Sequence, residues 1–97
     1  MDIVGLLRRH PNRIPVMVQS KTCRFRKKKF LVPTDTTVVE LIHTLRSYSN
    51  NLQCGDGLFL FVNNILPSQN TTVKELHMLH QIDLILHISI EKEDVFG

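Results

Sequence analysis

The chain has 97 residues, enough for one small domain, and its 42% hydrophobic content is ordinary for a folded globular protein. Its net charge of +3 is uneven: residues 1–34 carry nine basic side chains and one acidic, whereas residues 35–97 carry three basic and eight acidic. No apolar run is long enough to span a membrane, and the apolar "MDIVGLL" precedes its positive charges, unlike a signal peptide. The basic end is expected to attract acidic partners.

The first elements are a short helix and a strand. "DIVGLLRRH" suits a short helix that ends before the next proline. "RIPVMVQ" predicts a strand with Ile14, Val16 and Val18 on one face and Pro15 and Met17 on the other. Because proline cannot donate a hydrogen bond, Pro15 is expected at an unpaired position.

A second strand follows a basic loop. Residues 20–26 predict the loop, and "KKKFLVP" predicts the strand. Alternation places Lys29 and Leu31 on one side of this strand and Phe30 and Val32 on the other.

The clearest helix is predicted in "TDTTVVELIHTLRSYSN". Thr37 and Glu40 form a capping box, and apolar residues recur at helical spacing over residues 38–48. "LFLFV" then predicts a strand buried on both faces, with Phe59 and Phe61 packed in the interior, and "ILP" predicts another short strand.

The last third predicts a short helix in "TTVKELHML", with a capping box from Thr72 to Glu75, and a central strand in "LILHISI". A hairpin, a helix across the sheet and a last strand that returns beside the first is the β-grasp arrangement. The predicted fold class is α+β, with a mixed sheet of four to five strands and a short N-terminal helix.

The basic run "KTCRFRKKKF" has three readings. Basic residues with Phe25 and Phe30 among them suit nucleic-acid binding or a nuclear address. The same run suits a solvated strand face, which is the most frequent case, or a docking strand for an acidic peptide.

Catalytic and metal sites have weak support. His77 and His80 have helical spacing but no further metal ligands, and Cys23 and Cys54 have no base or metal partner at a known spacing. We therefore expect surface histidines, reduced thiols in an intracellular protein, no cofactor, no metal and no enzymatic activity.

Three segments together resemble one family. "HPNRIPVMV", "KKKFLVPTDTTV" and "LFLFVNNILP", with "DVFG" at the end, resemble the GABARAP and light-chain-3 family of autophagy-related ubiquitin-like modifiers. The resemblance covers residues 9–97. It implies a short N-terminal helix over residues 1–10, a ubiquitin-like β-grasp domain over residues 11–92 and a tail over residues 93–97.

The resemblance also implies a function. Gly97 would be activated by a ubiquitin-activating-type enzyme, passed to a conjugating-type enzyme and joined to phosphatidylethanolamine on autophagosomal membranes. A precursor extended beyond Gly97 would need a processing cysteine protease. The protein, expected to be a monomer in the cytoplasm when unconjugated, would recruit cargo receptors that carry aromatic-x-x-aliphatic motifs. It would bind no nucleic acid.

By resemblance, the motif adds as a strand beside residues Lys29, Phe30, Leu31 and Val32. The first pocket, for the aromatic residue, comprises Leu6, Pro15, Met17, Lys29, Leu31 and Ile85. The second pocket, for the aliphatic residue, comprises Phe30, Val32, Pro33, Leu41 and Leu45. Acidic residues beside the motif would be steered by Lys27, Lys28 and Lys29.

The chain departs from the family pattern in four places. It has room for one N-terminal helix where the family has two, and its loop over residues 20–26 is shorter and more basic. Thr36 and Thr44 make the second pocket more polar or shallower, and Tyr48 replaces a basic residue. Two alternatives share the fold: a protein-conjugated modifier of the autophagy-related protein twelve type, and an unconjugated peptide-binding adaptor.

Overall fold

The computed structural model of the chain describes residues 2–50 and 57–93. Within these ranges three helices and four strands follow one another along the chain. In chain order they are α1 (Ile3–Arg9), β1 (Arg13–Gln19), β2 (Lys29–Pro33), α2 (Val38–Arg46), β3 (Leu58–Phe61), α3 (Val73–His80) and β4 (Leu86–Lys92).

The four strands form one mixed sheet in the order β2-β1-β4-β3. β1 runs antiparallel to β2 and parallel to β4, while β3 runs antiparallel to β4. The first and last strands therefore lie together at the centre, and β2 and β3 form the two edges. This is the β-grasp topology, so the predictions of a hairpin, a parallel crossover and a central last strand are confirmed.

The hydrophobic core lies between one face of the sheet and the helices α2 and α3. Alternation along β1 and β4 sends every second side chain into this layer, and the helices contribute residues at helical spacing. The residues with no more than 2% of their surface exposed are Val16, Val18, Val38, Leu41, Leu45, Leu60, Val62, Val73, Leu86, Ile88 and Ile90.

The N-termini of α2 and α3 satisfy one another's backbone donors. The Val38 N–H donates to the Thr71 carbonyl at 2.9 Å, and the Val73 N–H donates to the Thr36 carbonyl at 2.8 Å. The first N–H groups of a helix have no acceptor within the helix, so each of these bonds supplies an acceptor from the other helix's N-terminal segment. The two helices are therefore fixed side by side at their beginnings.

Threonine caps begin both helices. The Thr37 hydroxyl accepts from the Glu40 N–H, and the Glu40 carboxylate accepts from the Thr37 N–H at 3.0 Å, so the predicted capping box is present. The Thr72 hydroxyl accepts from the Glu75 N–H at 3.2 Å. These bonds explain why α2 and α3 begin where the sequence places them.

Three sequence predictions differ from the structure. α2 ends at Arg46, because the chain turns over Ser47 and Tyr48. "ILP" forms no strand: Ile65 only closes a tight turn by pairing with Val62. In β3, Leu60 points into the core, whereas Phe59 points to the other sheet face and is 37% exposed, so the prediction of burial on both faces is wrong.

The capping box generates a pH-dependent prediction. Hydrogen bonds from the Thr37 N–H and hydroxyl hold the pKa of Glu40 below its ordinary value of 4.5. Because the pKa of Glu40 is lowered in the folded state, the ionised Glu40 carboxylate stabilises the fold. This stabilisation is present in full above pH 4.5 and is lost as the pH falls through the folded pKa.

We expect Thr37→Ala to lower the free energy of unfolding by about 1 kcal/mol at neutral pH, which urea denaturation measures. NMR titration should show the pKa of Glu40 moving up towards its ordinary value. The rise should be partial, because the backbone N–H at position 37, which lowers the pKa most, remains in the variant. An unchanged free energy of unfolding would contradict the role of the Thr37 hydroxyl as the cap of α2.

Candidate functional site

The outer edge of β2 presents backbone groups that pair with no other described strand. The Val18 N–H donates to the Lys28 carbonyl at 2.8 Å, and the Thr34 N–H donates to the Asn12 carbonyl at 3.2 Å. Antiparallel ladders alternate, so the backbone groups of Lys29 and Leu31 point away from β1. In the described ranges, no strand pairs with this edge.

The same alternation explains the proline in β1. Pro15 lies opposite Leu31, at a pair that exchanges no hydrogen bonds between the strands. The missing N–H of Pro15 therefore costs nothing to the β1–β2 ladder, as the sequence predicts for a proline within a strand.

A cavity of about 440 Å³ adjoins this edge on the sheet face opposite the core. All six residues predicted for the first pocket line it: α1 supplies one, β1 and β2 supply two each, and the residue before β4 supplies the last. They are Leu6, Pro15, Met17, Lys29, Leu31 and Ile85.

Two more basic residues, Arg13 and Lys27, also line this first pocket. Arg13 is not among the residues that the sequence predicts for it. Arg13 precedes Pro15 and Met17 at period two, so the alternation that identified those residues could also have found it. Its Nη1 donates to the outward-facing Leu31 carbonyl at 3.3 Å. Lys27 is the second cation. The pocket is therefore apolar within and positively charged at its rim.

A tight turn positions Ile85 at this pocket. Ile82 and Ile85 exchange backbone hydrogen bonds, and the two residues between them, Asp83 and Leu84, have φ of 52° and 70°. His77 Nε2 donates to the Leu84 carbonyl at 2.8 Å. The left-handed turn matches the twist of a hairpin, and the contact from α3 holds it in place.

The residues predicted for the second pocket lie mostly in the core. Leu41 and Leu45 are 1% and 0% exposed, and Phe30 and Val32 are 9% and 7% exposed. Pro33, the remaining member, is exposed at the end of β2. Four of the five residues predicted for the second pocket are therefore core residues, and Pro33 is the exposed member of the set.

An aromatic cluster of Phe30 and Tyr48 lies just after the end of α2. The rings of Phe30 and Tyr48 meet edge to face with centroids 5.2 Å apart. Lys27 Nζ lies 5.0 Å from the Phe30 ring centroid, and the Arg26 guanidinium lies 5.8 Å from the Tyr48 ring centroid. Two basic side chains therefore lie against the aromatic rings of Phe30 and Tyr48, and Tyr48 stands in the turn just after α2.

The three lysines predicted to steer acidic residues diverge in space. Lys27 and Lys29 line the first pocket, whereas Lys28 lines a different cavity beside the loop of residues 20–26. Phe25 and Phe30 are 8% and 9% exposed, so neither aromatic ring of the basic run lies open on the surface.

The remaining predictions concern the tail, the thiols and the histidines. Gly97 and Cys54 lie outside the described residues, and Cys23 is a buried free thiol. His77 is engaged by the Leu84 carbonyl. Across residues 2–50 and 57–93, no group of three His, Cys, Asp or Glu residues is placed to hold a metal, and no helix is long and apolar enough to cross a membrane.

Substitutions in the two predicted pockets should differ in their effect on stability, because the residues differ in burial. Leu41→Ala should lower the free energy of unfolding by about 2–5 kcal/mol, because Leu41 is 1% exposed and truncation leaves a cavity. Leu31→Ala should cost clearly less, because Leu31 is only half-buried. Urea denaturation of both variants measures the difference, and equal losses would contradict these placements.

Comparison with known proteins identifies the family. A family model described as "Autophagy protein Atg8 ubiquitin like" matches residues 2–97. The crystal structure of Trypanosoma brucei ATG8 superposes with a TM-score of 0.86 at 25% identity, covering 99% of this chain and 86% of that one. Plasmodium falciparum Atg8, solved in complex with a Plasmodium falciparum Atg3 peptide, has a TM-score of 0.74 at 27% identity, covering 93% of this chain and 86% of that one.

The family match spans nearly the whole chain, and the topology and the solved relatives agree with it. Members of this family are ubiquitin-like modifiers rather than enzymes. The chain belongs to the Atg8 family of ubiquitin-like autophagy proteins.

Proposed function

We propose that this protein is conjugated through Gly97 to phosphatidylethanolamine on autophagosomal membranes, where it recruits partners that carry aromatic-x-x-aliphatic motifs. The observation that carries the recruitment proposal is the first pocket beside the unpaired edge of β2. The conjugation proposal rests on family membership and on the glycine at position 97.

Strand addition is the binding mode that the β2 edge favours. The outward backbone groups of Lys29 and Leu31 supply hydrogen bonds for an extended peptide, and side-chain pockets supply specificity. Arg13 now donates to the Leu31 carbonyl, so an incoming strand would replace this bond with a bond from its own backbone.

The first pocket suits an aromatic side chain. Its walls come from aliphatic residues and Pro15, and a volume of about 440 Å³ leaves room for a large planar group. Burying an aromatic side chain of this kind provides much of the affinity in peptide complexes. Lys27 and Lys29 at the rim favour acidic residues next to the aromatic one.

The aliphatic residue of the motif would meet a shallower surface. Leu41 and Leu45 are buried in the core and Phe30 is 9% exposed, so the contact falls on the exposed Pro33. We therefore infer that affinity depends mainly on the first pocket, with the second position accepting a range of aliphatic side chains.

Conjugation fits the chemistry of position 97. Glycine has no side chain to hinder attack at an activated carboxyl group, and the domain contributes only this group as substrate. The required partners are an activating-type enzyme, a conjugating-type enzyme and, for an extended precursor, a processing protease. The Plasmodium Atg8 relative is in complex with an Atg3 peptide, which supports a conjugating-type enzyme as a partner here.

Peptide binding is tested by isothermal titration calorimetry and NMR with an aromatic-x-x-aliphatic peptide. The amides of residues 29–32 should shift on binding, and Leu31→Ala should weaken affinity by about 1–2 kcal/mol because Leu31 lines the first pocket.

Leu79→Ala is the matched control, because Leu79 is 77% exposed and does not line the first pocket. Its affinity should equal that of the wild type. Unperturbed amides at residues 29–32, or equal loss in both variants, would refute docking at this edge.

Conjugation is tested with purified cognate activating and conjugating enzymes and liposomes containing phosphatidylethanolamine. The chain ending at Gly97 should form a lipid adduct visible by mass spectrometry, and Gly97→Ala should reduce it to background. Leu79→Ala again serves as the control. An adduct on a protein lysine, with none on lipid, would replace this proposal with the protein-conjugated alternative.

A further inference from the structure

The loop between β1 and β2 encloses a second cavity, of about 290 Å³, that the proposed peptide site does not use. We call it the loop cavity. The buried residues Val18, Cys23 and Phe25 are among its lining. Its charged lining residues are all basic: Lys21, Arg24 and Lys28.

We propose that the loop cavity binds the phosphate head group of an anionic phospholipid. Three basic residues from a short segment line the same concave site, and no acidic residue is among its lining residues. Lysine and arginine bind phosphate through charge-assisted hydrogen bonds. Each basic side chain near an anionic membrane surface also adds an attractive contribution.

Hydrogen bonds to β4 hold the loop in this shape. The Ser20 hydroxyl and the Lys21 N–H both donate to Glu91 Oε1, at 2.9 and 2.7 Å. The Ser20 oxygen in turn accepts from the Cys23 N–H at 2.8 Å. Only the backbone of Lys21 is used in these bonds, so its ammonium group can face a ligand while the loop stays pinned.

The position of the loop indicates a membrane as the source of the phosphate. The Lys92 N–H donates to the Thr22 hydroxyl oxygen at 2.9 Å, so the last strand ends beside the loop. Three residues, 94–96, lie between the last described residue and Gly97, so the Cα atoms of residues 93 and 97 are at most about 14 Å apart. If Gly97 carries a lipid, as proposed above, the loop cavity lies within reach of the same bilayer; this step rests on that proposal.

The buried aromatic residues argue against nucleic acid as the ligand. Proteins that bind single strands use exposed aromatic rings on which bases stack. Phe25, the ring within the loop, is 8% exposed and forms part of the cavity lining. Tyr48 is flanked by Arg26 and Lys27. The loop therefore offers charge without a stacking surface.

The test uses the unconjugated protein, residues 1–97, and vesicles of phosphatidylcholine with or without a minor fraction of phosphatidic acid. Co-sedimentation should show binding only to vesicles with phosphatidic acid. Lys21→Gln combined with Lys28→Gln should reduce this affinity by roughly twentyfold or more, because two cations near the surface are removed. Both substitutions leave the backbone bonds of the loop intact.

The matched control is Arg9→Gln combined with Lys74→Gln, which removes the same charge from exposed residues of α1 and α3. It should retain most of the affinity, and an equal loss in both double variants overturns the loop cavity as the site. Binding of soluble glycerol phosphate without recruitment to vesicles overturns the lipid assignment. Binding of a single-stranded oligonucleotide in place of phosphatidic acid vesicles also overturns it.

Failure of this proposal can be distinguished from failure of the proposed conjugation. Vesicle binding is measured without enzymes and without a bond at Gly97, so it remains informative if no lipid adduct forms. Conversely, lipid conjugation together with unchanged vesicle binding of the Lys21→Gln and Lys28→Gln double variant overturns only the role of the loop cavity.

Discussion

The parallel pairing of β1 with β4 is the constraint on which the rest of the structure depends. It brings the first and last strands together at the centre of the sheet. The chain between them then contributes the two edge strands, β2 and β3, and the helices α2 and α3. Side chains from both central strands fill the core, so the same pairing that orders the sheet also builds the core. Because β4 occupies one side of β1, β2 can only lie on the other, at an edge of the sheet.

This edge position gives the candidate site its character. The face of β2 that carries Phe30 and Val32 is buried in the core, while Lys29 and Leu31 meet residues of α1, β1 and the turn before β4 around the first pocket. The backbone between the two faces keeps outward hydrogen-bonding groups at alternate residues. One short strand thus joins a stable core to a surface with both an apolar cavity and unpaired polar groups, which is the combination that strand addition requires.

The basic run near the N-terminus divides into groups with different surroundings. Lys27 and Arg26 lie over aromatic rings at the end of α2, and Lys29 lines the first pocket. Lys21 and Lys28 line the loop cavity on the other side of the hairpin. The divergence follows from strand geometry, because neighbouring residues of an extended chain point in opposite directions. A continuous patch in the sequence is therefore several separate surfaces in the protein.

The sequence by itself determined the fold class, the helix caps and the alternation of β2. Thr37 with Glu40 marked the start of α2, and period two in "RIPVMVQ" and "KKKFLVP" separated the core residues from those of the first pocket. Family resemblance supplied Leu6 and Ile85, which no local pattern places beside β2. These signals could be read because they depend on neighbours a few residues apart.

Only the tertiary structure decided what depends on packing between distant segments. "LFLFV" has the composition of a buried strand, yet only the face that carries Leu60 is buried in the core, and Phe59 on the other face is exposed. Leu41 and Leu45 have the same helical spacing whether they line a pocket or fill a core, and the folded structure buries both in the core. The bond from Ser20 to Glu91 spans 71 residues. Local sequence patterns carry no information about such contacts, because they form only when the sheet closes.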